Sequence, residues 1–152
     1  MGTDDDSGHF GELPQAGFTL SPDSATAFHR FALATYSYRC AITGEQFLPE
    51  IIPHPHLDVV PIQPLALGGQ VEIGNVVVLE EHVARAFRRG LIQVSDDLLV
   101  LIPDRAQLDP RLVKHVVGVR HLVLPDDHLL RPRLAAFSFH RALFAGGATN
   151  AG

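Results

Sequence analysis

An α+β fold is predicted from three observations. Helical apolar periods at 21–36 and 80–89 enclose two short, nearly continuous apolar segments at 57–63 and 76–79. A Gly68-Gly69 loop lies between those two segments, and a polar turn, Ser95-Asp96-Asp97, divides two further apolar runs. With 152 residues, 46% of them hydrophobic, the chain is long enough to bury one core. It is read as a flexible acidic tail at 1–20, a single domain at 21–145 and a flexible tail at 146–152.

The first helix is expected to start at Ser21, whose hydroxyl can cap it, with Pro22 in the first turn where a missing N–H costs nothing. Phe28, Phe31 and Ala32 recur at helical spacing, and Thr35 and Tyr36 continue that face. Thr43-Gly44 marks a turn, followed by extended segments at 46–51 and 57–63. After the loop 67–70 comes Asn75, then the apolar run Val76 to Leu79 and a helix from Glu80 to Arg89 that Gly90 is placed to stop. Segments 91–94 and 98–102 are expected to form a hairpin about the polar turn. A short helix near Pro110 to 117, a strand at Leu122 to Leu124 and a last helix from Pro132 to about Phe144 complete the chain, which carries no internal repeat.

No apolar run approaches the roughly 18 residues that cross a bilayer, and the first residues lack the basic start and apolar stretch of a secretion signal, so a soluble, cytoplasmic protein without a membrane partner is expected. The lone Cys40 excludes an internal disulfide and a zinc knuckle, and reads as a small buried residue in a turn. The net charge of −5 runs against a nucleic-acid partner, but its distribution does not: five acids and no Lys or Arg precede Arg30, which leaves twelve acidic and twelve basic residues in the rest. All of those basic residues except Lys114 are arginine. Arginine forks onto phosphate better than lysine, although a solvated surface is the commoner use of such residues.

Taken together, the segments YRCAITGE, LDVVPIQPLALGG and NVVVLEEHVARAFRRGLI resemble the HNH endonuclease family, in its restriction-endonuclease branch. There a Cys-Ala-x-Thr-Gly turn precedes an extended His-Ile-x-Pro segment, and an Asn-led apolar stretch enters a helix reading His-x-x-Phe-Asp-x-Gly. The closing LVLP, with a Pro-started helix carrying His140, Arg141 and Phe144, extends the likeness over roughly residues 25 to 145. The resemblance implies a ββα-metal (HNH-like) core with an added N-terminal helix and a C-terminal helical extension. It also implies phosphodiester hydrolysis, with a histidine as general base and a divalent cation stabilising charge on the phosphoryl group.

The matching positions depart from that chemistry. Where the family has its base this chain has Pro61, and where it has a metal-holding histidine this chain has Ala84; Asn75 alone is retained, either as a relic or as a helix-start cap. Proline has no side-chain proton acceptor and places the segment at an edge or a bulge. Arg88 stands where the family commonly has aspartate. It lies four residues from Ala84 and so shares its helix face, close enough to put a cation in the metal's electrostatic role. Pro61 is expected to front the side of the helix that carries Ala84.

A relocated metal site has His54, His56 and His82 as candidates, with Glu80 and Glu81 as replacement ligands or as acids complementing the helix dipole. His54 and His56 share one side of an extended segment, whereas His82 is rotated about 200° from Ala84. His140 is read as a surface or core-edge residue. The expected function is that of an HNH nuclease-like domain, inactive as an enzyme, that binds DNA or a protein partner, with Arg85, Arg88 and Arg89 as nucleic-acid contacts and no cofactor. The alternatives are an active, metal-dependent endonuclease with relocated catalytic residues, and a protein-interaction scaffold.

Overall fold

The computed structural model describes residues 21–116, 118 and 120–151, with side chains to residue 145; the acidic segment 1–20 lies outside the described residues. Helix α1 spans Pro22–Thr35, and Ser21 caps it as its hydroxyl accepts the Ser24 N–H at 3.2 Å. Strands β1, Leu57–Pro61, and β2, Val76–Glu80, pair antiparallel, with Leu57 opposite Glu80 and Pro61 opposite Val76. Helix α2, Glu81–Arg88, follows β2 without a loop because Glu80 serves both elements. It closes the ladder opposite Leu57, and its carboxylate accepts the N–H groups of His82 and Val83, two donors the helix itself leaves unsatisfied.

Two further strands and two further α-helices follow. Strands β3, Gln93–Val94, and β4, Val100–Leu101, form a second antiparallel pair. Helix α3 spans Pro110–Val116 and α4 spans Leu134–Ala151, whose last turns fall in the stretch read from sequence as a tail. The architecture is mixed α/β, with four helices and two small antiparallel sheets among the described residues. No helix among them is long and apolar enough to cross a membrane.

The core lies on both faces of the β1–β2 hairpin. Val60, Val76, Val77, Val78 and Leu79 are buried, as are Leu33 on α1, Val83 and Phe87 on α2 and Phe137 on α4. Burying each such side chain contributes about 1.5–3 kcal/mol. Tyr36, buried at the end of α1, donates its hydroxyl to the Val76 carbonyl at 3.3 Å, and burial pushes its phenol pKa well up.

Three sequence expectations are corrected. The segment 46–51 forms no strand, only an isolated bridge between Arg39 and Gln46, because Pro49 supplies no backbone donor and the chain then bends through 51–53. Leu122 to Leu124 is likewise no strand: Leu122 donates to the Leu98 carbonyl but Val123 to the Ala41 carbonyl, so the segment ties two neighbours together instead of running along one. The last helix begins at Leu134 and not at Pro132, since the Arg133 N–H is given to the Gly74 carbonyl at 2.8 Å.

Gly90 ends α2 as expected, for two reasons. Its φ of +75° is costly for any residue with a Cβ, and a Cβ built there would run into the ring of Phe144. This contact brings α4 against the end of α2. His140 adds to it, with its ring stacked on that of Phe87 at 3.9 Å and its Nε2 donating to the Phe87 carbonyl at 2.7 Å.

Candidate nucleic-acid interface

Asn75 is not a helix cap: Glu80 caps α2. The Asn75 side chain, 1% exposed, accepts the Gln63 N–H at 2.9 Å and donates to the carbonyls of Gln63 and Gln70, each at 3.0 Å. The Ile62 N–H is given to the Asn75 carbonyl at 2.7 Å. Asn75 thus holds the chain just after Pro61 and the loop at Gln70 against the start of β2. Gly69 must be glycine for the same reason: a Cβ there would collide with the Gln63 backbone and crowd the Asn75 amide.

Pro61 lies at the end of the hairpin away from the β2–α2 junction. By strand alternation it shares a face with Leu57 and Val59, whereas Asp58, which reaches α2, is on the other. The expectation that Pro61 fronts Ala84 is not what this register gives. Ala84 itself is 0% exposed, within the apolar face that Val83 and Phe87 also bury.

Arg88 points from the Ala84 edge of α2 to β1, where its Nη1 lies 3.2 Å from Asp58 Oδ2. It has a carboxylate partner, half-exposed like itself, where the sequence reading expected a free cation. Arg85 and Arg89 take a different place. At about 100° per residue Arg85 lies about 60° and Arg89 about 100° round the helix from Arg88, further along the exposed side toward His82.

The histidines divide in the same way. His54 is buried, with Nε2 donating to the Leu48 carbonyl at 2.9 Å and Nδ1 accepting the N–H groups of His56 and Leu57. The His54 and His56 rings are close, at 6.1 Å between centroids, but both nitrogens of His54 are committed to the loop. His56 is exposed, stacked on Phe47 and 3.7 Å from Glu81; His82 is exposed and 2.7 Å from Glu80. Glu80, Glu81 and His82 bring ligand-type atoms within 4.8 Å of one another, with Glu80 already occupied as the α2 cap. Cys40 is buried, as expected.

The feature that the sequence reading missed is a cleft of about 950 Å³ between α2, the segment that enters α3, and the turn at Thr43. Val83, Ala86, Leu91, Leu108 and Leu112 contribute apolar surface, while Arg85, Arg89, Arg111, Lys114 and Arg120 bring positive charge. Two of its three carboxylates are engaged: Glu80 by the α2 amides and His82, and Asp109 by Arg111 at 3.0 Å, whose hydrogen bonds hold the Asp109 carboxyl below the usual range. Among the described residues Arg85, Arg89 and Lys114 have no carboxylate partner within 4.0 Å. The only sequence-level hint was the Arg85–Arg89 spacing.

Three chains of known structure match this one. One, a modification-dependent TagI restriction endonuclease, superposes with a TM-score of 0.53 at 19% identity, over 75% of this chain and 36% of that one. The present chain thus corresponds to about a third of that protein's length, and at this identity the likeness is one of fold. No family model and no curated protein matches the sequence.

Proposed function

We propose that this chain is a nuclease-fold domain that holds nucleic acid by its phosphates and does not cut it. The observation that carries this reading is the packing of Ala84. Where the resembled HNH family has a metal-holding histidine, this chain has a methyl group with 0% exposure, in a face closed by Val83 and Phe87. A catalytic divalent ion requires several oxygen or nitrogen ligands and an open position for water. The residues present do not fit an ion there, and no hydrolytic step is derived through one.

Two further points support it. Pro61 carries no group able to take a proton from water. Of the histidines proposed as relocated ligands, His54 has both ring nitrogens engaged and His82 lies on the far side of the helix wheel. The reading as a binder rests on Arg85 and Arg89, exposed and without carboxylate partners among the described residues, since guanidinium groups so placed recognise phosphate by paired hydrogen bonds.

Supercoiled plasmid incubated with the purified protein and Mg²⁺, Mn²⁺ or Ni²⁺, against an EDTA control, tests the negative half. The expected result is no nicking with any ion, accompanied by retention of the plasmid at low salt and its release as salt rises. Metal-dependent nicking abolished by His56→Ala or His82→Ala would replace this reading with a relocated active site. Absence of retention at any salt would favour a protein-interaction scaffold.

A further inference from the structure

The cleft between α2 and α3 has a property that contact with duplex backbone does not require: an apolar floor set below its cationic rim. Val83, Ala86 and Leu108 in that floor are 1%, 6% and 3% exposed, and Leu91 and Leu112 are half-buried beside them. A cleft of about 950 Å³ is on the scale of sites that enclose a small ligand, whereas a duplex can lie only across its mouth.

The charges are arranged to suit one compact anion. Arg85 and Arg89 are four apart on α2, so their side chains project from one edge about 6 Å from each other at the Cβ atoms. Lys114 faces the same space from α3. Arg120 also lines it, with its Nη1 near the carbonyls of Ile42 and Thr43 at 3.4 Å and a buried Nε that meets no hydrogen-bond partner among the described residues. Against these cations Glu45 is the lining carboxylate left without an ion-pair partner among the described residues.

We infer that this cleft binds a single nucleoside phosphate, with the base against the apolar surface that Leu91 and Leu112 present above the buried Val83 and Leu108, and the phosphate between Arg85, Arg89 and Lys114. An inorganic anion would leave the floor unused, and the combination of an apolar floor with a forked cationic rim is what a nucleotide matches. The ligand is a free nucleotide or the unpaired terminal nucleotide of a strand; the recognising chemistry is common to both. The inference deepens the proposed function without depending on duplex binding.

Titration calorimetry of the full chain with dAMP, with inorganic phosphate, and with 5′-phosphorylated and 5′-hydroxyl single-stranded oligonucleotides tests it. The expected result is saturable binding of dAMP, weaker binding of phosphate alone, and a loss of about tenfold or more on Arg85→Ala or Arg89→Ala. Arg88→Ala should leave dAMP affinity unchanged. Both cleft arginines are exposed, so these variants are expected to fold, and circular dichroism checks that they do. A preference for the 5′-phosphorylated strand over dAMP identifies the strand end as the source, and the reverse preference identifies a free nucleotide. Equal affinity for phosphate and dAMP, no binding of either, or binding indifferent to Arg85 and Arg89 would overturn the inference. Binding of dAMP without plasmid retention upholds the cleft and removes the DNA reading; retention without dAMP binding does the reverse.

Discussion

On α2 Ala84 is sealed in the core and Arg88 beside it is tied to Asp58, a closed edge, while Arg85 and Arg89, further round the exposed side, form an open one beside an apolar cleft. The two edges belong to one short helix and its C-cap, Arg89, yet they present different physical situations. On the closed edge a substitution acts through packing and is read in stability. On the open edge charge has no carboxylate partner among the described residues, and a substitution there is read in affinity. The position matched to the resembled family's metal-holding histidine is thus the closed one, and the unforeseen cleft lies beside the open arginines.

Stability should respond most to the hairpin that supports both edges. Asn75→Ala removes three buried hydrogen bonds and strands the Gln63 amide and carbonyl, at a cost of about 2–4 kcal/mol in urea unfolding. A loss below about 1 kcal/mol would mean that the loop after β1 holds without it. Ala84→His tests the closed edge itself, since an imidazole forced into a fully buried site should cost about 2–3 kcal/mol. Mn²⁺ should not raise the melting temperature of that variant. A metal-dependent rise would reveal a latent site where the packing argues against one.

The open edge should behave in the opposite sense. Replacing Arg85 and Arg89 together by alanine is expected to change unfolding free energy by no more than about 0.5 kcal/mol, as for exposed residues generally. Affinity for nucleic acid should nonetheless fall by about 10–100-fold, from two lost phosphate contacts.

A smaller effect concerns the contact between α2 and α4. Burial lowers the pKa of His140 below its ordinary 6.5, so the folded state favours the neutral ring that donates from Nε2 to Phe87 and stacks on it. The contribution is fully present above the unfolded-state pKa and is lost as pH falls below it toward the depressed folded value. Thermal melts from pH 8 down to pH 5 should therefore show a decline that His140→Gln flattens.

Much of the frame was legible in sequence because it is locally encoded. Ser21 and Pro22 announce α1, and the apolar run Val76 to Leu79 followed by the helical period to Arg89 announces β2 and α2, although Glu80 caps α2 and does not start it. Gly90 marks the end of α2 through its backbone, while the ring of Phe144 against it, from 54 residues on, could not be foreseen. The segment 122–124 was misread as a strand, and the extended segment 46–51 pairs only at Gln46, because composition alone does not say which neighbour receives each N–H. The cleft was not legible for a related reason: Arg89, Lys114 and Arg120 meet only once the α3 segment folds back on α2. Arg88 looked like a free cation near a lost metal site because its partner, Asp58, lies 30 residues away on β1.

The most direct test of the division between the two edges is the salt dependence of DNA affinity, measured by fluorescence anisotropy for the native chain, the Arg85→Ala/Arg89→Ala pair and Arg88→Ala. The native chain should bind more weakly as salt rises. The paired variant should lose about two from the slope of log affinity against log salt, whereas Arg88→Ala, which gives up an exposed ion pair worth at most about 1 kcal/mol, should leave that slope unchanged. A native chain with no salt-dependent binding, or a slope reduced by Arg88→Ala and untouched by the pair, would contradict the account.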